Sequence, residues 1–348
     1  AKLKSRFHTL LDDKRSKNVS RPYSRTGGSG GEQYPRLENP DSRPSSRASL
    51  SNPPFRGQPF HGSALTFRNL LVKLSEIPLE WENQKFLDEA VRAMPIKTFE
   101  HRVAFERELN PNPSASWGYK DYLILALLRW FKEEFFQLRI DPLCTRCKRL
   151  SEEREFAPAS FRAELYQCPT CDNDERVLTW SNPVDLLRSR HGQSEEWAIC
   201  FGLLCRALRC RVRYVWNNEG YHWNEVFSEY ANRWVHVDST RAAWDQPEVY
   251  TQVLNEKLSY CIAFSVDGAV DVTLRYVRLA EHAAPRTRSS MIELLRILDG
   301  ICTLRRKSLD EEERYKLERE NSRERNEFVL FIVSALLSKL LILRIEDV

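Results

Sequence analysis

Apolar residues recur at helical spacing at Leu123, Leu127, Trp130, Phe131 and Phe135, which predicts a helix over Asp121–Phe136. A second amphipathic helix opens at Ser194-Glu195-Glu196-Trp197. Three strand-like runs follow it: Arg211–Asn217, Tyr221–Phe227 and Arg233–Asp238. Lys257–Val266 and Ala269–Thr273 read as a hairpin around Asp267-Gly268, because that pair tolerates the positive φ of a tight primed turn. Ser290-Met291-Ile292-Glu293 and Ser308-Leu309-Asp310-Glu311 both fit the capping box, so two helices are expected to start there. The second, about Leu309–Asn326, is mostly Glu, Arg and Lys, the pattern of a solvated face.

These elements predict an α+β fold with a central antiparallel sheet. The chain divides into three stretches on this reading. Residues 1–62 are rich in Ser, Arg, Pro and Gly, bury too little apolar surface to offset ordering entropy, and are expected to form a disordered arm. Residues 63–285 hold the core, and 286–348 hold C-terminal helices and an apolar tail. The uncharged part of that tail, Phe328–Ser338, falls short of the roughly 20 residues of a membrane span. A packed terminal helix is expected instead, and no membrane partner.

Composition changes this picture little. A hydrophobic fraction of 42% suits a globular protein, and a net charge of +4 is too small to point to nucleic acid. Nine cysteines without an apolar N-terminal signal suit a reducing compartment, where thiols serve as metal ligands or buried apolar groups.

Four of those cysteines carry chemistry. Cys144-Thr145-Arg146-Cys147 and Cys168-Pro169-Thr170-Cys171 make two C-x2-C pairs about 20 residues apart, a zinc spacing. Two residues between ligands let one tight turn aim both sulfurs at a common ion. Four thiolates close a tetrahedral site with no open position, so one structural Zn2+ is expected at 144–171. Arg146, Lys148 and Arg149 flank the site, a basic cluster too small to define a nucleic-acid surface.

The order of helix, strand and strand resembles the cytosolic peptide:N-glycanases, members of the transglutaminase-like superfamily. The resemblance rests on Leu127–Lys132, the two Cys pairs, Asn182–Leu187, Glu196-Trp197-Ala198, Val212–Trp216, Asn232–Ser239 and Lys257–Phe264. It spans roughly Asp121 to Tyr276 and extends into the C-terminal helices. It implies a transglutaminase-like core with a papain-like Cys-His-Asp site and a zinc-binding lobe. It also implies cleavage of the glycosylamine bond at Asn in misfolded glycoproteins or glycopeptides, leaving Asp. Ubiquitin receptors and proteasome-associated factors are the partners it implies, in the cytoplasm and also the nucleus.

Carried over position by position, the resemblance describes a fungal-type member with a degenerate triad. Ser194 stands at the nucleophile position, Tyr221 at the His position, and Asp238 matches the third member. Trp197 and Trp223 match motif aromatics and are expected to line the sugar cleft. The replacements are chemically severe. A Cys at a helix N-terminus gains thiolate character from the helix field and a neighbouring imidazolium. A Ser hydroxyl needs a base in contact, and a phenol with a pKa near 10 is a poor proton acceptor at neutral pH. The expected function is therefore that of a catalytically inactive homologue, a binding or scaffold protein in misfolded-glycoprotein handling. The alternative is an active amidase using Ser194 or a displaced His222. His222 should face away from the cleft by strand alternation, His236 should be a structural hydrogen-bonding residue and Cys200 core. His191 stands in the loop before the helix, within reach of the cleft mouth. Ser194 before two glutamates is also an ordinary helix N-cap.

Overall fold

Phe67, Leu71 and Leu74, four and three residues apart, bury one face of the first helix, α1 (Gly62–Leu74). The computed structural model describes residues 62–109, 117–139, 143–149, 151–153, 163–178 and 182–346. All of them fall in one unit that begins at Phe60. The expected arm lies outside the described residues, save its last position.

Three further helices follow: α2 (Ile77–Glu80), α3 (Gln84–Ala93) and α4 (Ile96–Leu109). The helix expected over residues 121–136 is α5 (Tyr119–Trp130), which widens into a π turn at Phe131–Phe135. The Phe131 ring packs edge-on to Trp197 and Phe201, at 5.4 and 5.3 Å. β1 (Gln137–Leu138) leads to the cysteine lobe, where β2 (Glu152–Glu153), β3 (Ala163–Gln167) and β4 (Asp174–Leu178) form a three-stranded antiparallel sheet. α6 (Pro183–Ser189) starts with Pro at its first position, and the Asn182 side chain accepts from the Val184 amide at 2.9 Å. β5 (His191–Gly192) then pairs in parallel with β1. The chain enters α7 (Ser194–Ala207) from there.

The three expected strands are β6 (Val212–Asn217), β7 (His222–Ser228) and β8 (Arg233–Asp238), with β9 (Ala243–Trp244) at the edge. The expected hairpin is β10 (Cys261–Ser265) and β11 (Gly268–Asp271); Ser265 pairs with Gly268, so Val266 and Asp267 make the turn, one position earlier than expected, and Gly268 opens β11 at φ +145°. Together they form one antiparallel sheet in the order β11-β10-β6-β7-β8-β9. The central strand β6 is buried along its whole length, because both sheet faces are covered.

One face carries Tyr214, Trp216 and His222, and α7 packs on it. The α7 backbone comes close to α2's end through a notch. A Cβ placed on Gly202 would stand 2.3 Å from the Trp81 ring, so only glycine fits. The opposite face carries Arg213, Val215, Trp223, Glu225, His236 and Asp238. It is covered by α8 (Thr273–Tyr276) and by the terminal helix α10 (Glu311–Glu346), while α9 (Met291–Arg305) lies against β11 and α1.

The capping box expected at Ser290 forms: Glu293 N donates to Ser290 Oγ at 3.2 Å, and Ser290 N donates to Glu293 Oε2 at 3.0 Å. The second box is displaced. Leu309 N bonds to Arg306 O, which holds Ser308 in a turn, and the reciprocal pair is Asp310 with Glu313. The Glu-rich stretch is also not simply solvated. Glu320, Glu324 and Glu327 lie four and three residues apart and meet Arg211, Arg213 and Arg275. Arg211 holds Glu320 through both guanidinium nitrogens, at 3.0 and 2.6 Å. Arg213 and Arg275 converge on Glu324 at 2.7 and 2.6 Å, fully inside the protein. Burial alone would raise the Glu324 carboxyl; the two guanidiniums outweigh it and hold it below the usual range. Among the described residues no helix is long and apolar enough to cross a membrane.

Candidate metal centre and hydrolytic site

The two C-x2-C segments fold into matching turns. Lys148 N donates to Cys144 O at 2.9 Å and Cys144 N to Arg149 O at 2.7 Å. Asp172 N donates to Cys168 O at 3.0 Å and Cys168 N to Asn173 O at 2.9 Å. Lys148 and Asp172 both take left-handed backbone angles, φ 59° and 53°, which turns the chain back after the second sulfur of each pair. The second turn is the loop joining β3 and β4.

All four Sγ atoms lie within 4.8 Å of one another, with Cys144–Cys171 at 3.5 Å and Cys147–Cys168 at 3.3 Å. A tetrahedral ion with sulfurs at about 2.3 Å needs S···S separations near 3.8 Å, so the set can hold a metal. The Cys147 amide donates toward the Cys144 sulfur and lowers its pKa, whereas burial pushes the Cys171 thiol up to about 12, so the sulfurs do not share one protonation state without an ion.

The second candidate site is the rim where α7 meets the start of β7. Ser194 is the first helical residue, and its Oγ donates to Gly220 O at 3.3 Å. It is not the N-cap. Gln193 stands there, with its amide donating to Glu196 Oε2 at 2.7 Å. Tyr221, one residue before β7, donates its hydroxyl to Glu256 Oε1 at 2.9 Å, and its ring lies 5.6 Å from that of Tyr250. Burial, and then the bonded Glu256 carboxylate, push the Tyr221 phenol above its ordinary range. It keeps its proton.

Asp238 is buried and saturated. Oδ1 accepts from the Thr240 amide and hydroxyl at 2.9 and 2.6 Å. Oδ2 accepts from Tyr250 Oη at 2.9 Å and Arg241 Nη1 at 2.8 Å. The structure thus gathers Tyr221 and Asp238 around Tyr250 and Arg241. Ser194 touches this cluster's edge only through Gly220.

The imidazoles are engaged elsewhere. β6 and β7 keep regular register from Val212↔Val226 to Trp216↔His222, so alternation turns His222 to the α7 face. Its Nδ1 meets Tyr214 Oη at 2.5 Å, and enclosure lowers its pKa to about 4. Tyr214 in turn bonds Glu195, the neighbour of Ser194. His236 Nε2 lies 3.1 Å from Tyr250 Oη. That hydroxyl gives its single proton to Asp238, so His236 is the neutral tautomer with its proton on Nε2. Burial holds its pKa at about 4. His191 Nδ1 sits 2.5 Å from Ser189 O. Cys200 is fully buried, and burial pushes its thiol up.

Two expected cleft residues are corrected. Trp197 is 4% exposed, donates Nε1 to Gly192 O at 3.1 Å and packs on Phe131 and Phe136. Trp223 is wholly buried, stacks on Tyr250 at 4.4 Å and donates to Tyr276 Oη at 2.7 Å. Each indole has its polar atom satisfied inside the core, so neither opens on a sugar cleft. Sequence reasoning missed Arg241, Tyr250 and Glu256. Arg241 left a signal, a cation three residues after the strand-end acid. Tyr250, in a π turn at Val249–Val253, and Glu256, in the loop after it, left none.

An antiparallel sheet flanked by this helix, with a C-x2-C lobe beside it, defines a transglutaminase-like protein. The Transglutaminase-like superfamily model matches residues 145–239, and the Rad4 transglutaminase-like domain model matches residues 216–326. A peptide-N(4)-(N-acetyl-beta-glucosaminyl)asparagine amidase of Yarrowia lipolytica is 36% identical over 274 residues, 75% of this chain and 76% of that protein. Protein png-1 of Neurospora crassa is 38% identical over 275 residues, 74% of this chain and 67% of its own. The human amidase is 34% identical over 253 residues, 69% of this chain and 38% of its length. A solved Rad4–Rad23 complex bound to a 6-4 photoproduct lesion matches with a TM-score of 0.46 at 14% identity, over 75% of this chain and 58% of that one. The chain belongs to the peptide-N(4)-(N-acetyl-beta-glucosaminyl)asparagine amidase family, the peptide:N-glycanases.

Proposed function

We propose that this chain is a peptide:N-glycanase homologue that binds misfolded glycoprotein or glycopeptide but has lost, or nearly lost, cleavage of the glycan–asparagine bond. The observation that carries this reading is the engagement of Ser194 Oγ. It donates to a backbone carbonyl, Gly220 O, and that acceptor cannot take its proton away. Tyr221, at the position of the general base, is a protonated phenol tied to Glu256. Loss of one triad member costs about 10⁴ to 10⁶ in turnover, and neither replacement supplies the other's role. Binding needs the surface and not the nucleophile.

On this reading the four cysteines hold one structural zinc ion. The protein acts as a scaffold in the cytoplasm, and also the nucleus, beside ubiquitin receptors and proteasome-associated factors, without nucleic acid. Residues 63–285 serve as its core on this reading.

The test is a denatured glycopeptide incubated with purified protein. The expected result is binding without release of glycan and without conversion of Asn to Asp. Release abolished by Ser194→Ala would sink the proposal.

A second reading, an active amidase, is favoured by the names of the relatives and by one contact. His222 lies under the first turn of α7 and connects through Tyr214 to Glu195, next to Ser194. In that case release would depend on Ser194 or on His222.

A further inference from the structure

We infer that Arg241 is a positioning residue that withholds the Asp238 carboxylate from any imidazole, so that the rim is closed by rewiring and not by the replacements at 194 and 221 alone. The inference rests on the inactive reading above. A carboxylate in a Cys-His-Asp site works by accepting an N–H from the imidazole, which fixes its tautomer and steadies its positive charge. Asp238 has about four acceptor positions. Four donors already fill them: the Thr240 amide, the Thr240 hydroxyl, the Tyr250 hydroxyl and Arg241 Nη1. Nothing remains for an imidazole.

Among these donors Arg241 alone carries a full charge. Its ion pair with Asp238 is charge-assisted, and Asp238 itself is 1% exposed. The guanidinium also lies 5.7 Å from the Tyr221 ring and 5.6 Å from that of Tyr250. It therefore stands beside the position an imidazole would occupy. An imidazolium placed there would meet a like charge, which disfavours its protonated form and so the thiolate–imidazolium pair. Saturation and repulsion act in the same direction. The other groups around the rim are Glu256 on the Tyr221 side, His236 and Tyr250 behind Asp238, and Glu195 and Glu196 in the first turn of α7. The carboxylates would attract an imidazolium, so they do not explain the closure. Thr240 and Tyr250 are neutral donors; Arg241 alone is held to the carboxylate by its charge.

The test restores the reactive pair in the full chain, with and without Arg241. Three proteins are compared: Ser194→Cys, Ser194→Cys with Tyr221→His, and that double variant with Arg241→Gln. The readout is the pH profile of iodoacetamide alkylation on the peptide carrying position 194, alongside glycan release from denatured glycopeptide. With Arg241 present the introduced thiol should titrate near the ordinary value of about 8.5. With Arg241→Gln it should show at least tenfold more thiolate at neutral pH, and glycan release should rise at least tenfold. Arg241→Lys, which keeps the charge, should return the profile to that of the double variant. A low-pH thiolate already present in the double variant would overturn the inference, as would an unchanged profile after Arg241→Gln. If Arg241→Gln does not fold, Arg241→Ala takes its place; failure of both makes Arg241 structural and also overturns it. Release by the unmutated protein would sink the inactive reading instead, and the alkylation profile would still report on Arg241.

Discussion

The cysteine lobe and the rim of α7 hold two kinds of chemistry in one chain, and they have fared differently. In the lobe all four sulfurs are present, two matched turns aim them together, and each turn closes with the same pair of backbone bonds. At the rim, on the proposed reading, only Asp238 keeps the residue type that hydrolysis asks for, and its oxygens are spent on Thr240, Tyr250 and Arg241. On that reading the difference teaches that a fold can hold on to groups that shape it while letting go of groups that react. Ser194, Tyr221 and Asp238 are bonded there as ordinary members of the core and its edge.

The largest test falls on the lobe. Removing the metal with a chelator, or Cys168→Ser, should drop bound zinc from one ion to near none and open residues 143–178 to protease. Binding energies of about 10 kcal/mol or more support structural zinc in small domains. Metal analysis and limited proteolysis check this; a lobe equally resistant without metal would break the comparison.

The rim should respond as packing does. Trp223→Ala should cost about 3–5 kcal/mol, as large aromatic deletions from cores do. That predicts a melting temperature lower by about 10 °C. A cleft-lining indole would cost far less, so a small shift would restore the original expectation for Trp223.

Acid should act on the same region. His236 is held neutral with a pKa of about 4, below its unfolded value of about 6.5. Between those values the unfolded chain binds the extra proton, so stability is complete above about pH 6.5 and falls as pH drops toward 4. The loss is on the order of 3 kcal/mol for this group. Denaturant unfolding at pH 7 and pH 4.5 measures it together with the like contribution of His222, also held at about 4, so His236→Phe should flatten the slope only in part.

The smallest effect is expected at Ser194. Ser194→Ala should change stability by no more than about 0.5 kcal/mol and leave glycan release at its background. A loss of activity there would place the rim with the lobe, as chemistry retained.

Local patterns carried much of this into the sequence. Alternation marked β6, β7 and β8 to within a residue or two, and Asp267-Gly268 marked the hairpin turn to within one residue, because strand and turn preferences act over a few residues. The cysteine spacing made the lobe legible for the same reason. The terminal helix was not. Its glutamates read as solvated, and their partners Arg211, Arg213 and Arg275 stand 35 or more positions away in the chain. Trp197 and Trp223 were misplaced because a motif gives residue type but not the side from which neighbours close over it. Arg241 shows the same limit at short range: its charge was visible, its grip on Asp238 was not.

The notch at Gly202 bears on all of this. Eight residues separate it from Ser194, yet it sets how deeply the helix can seat beside Trp81. A methyl group there would wedge the rod away from its neighbour and swing its leading end across the sheet margin. The alignment of the hydroxyl with the Gly220 carbonyl is thus governed by a missing carbon more than two helical turns downstream.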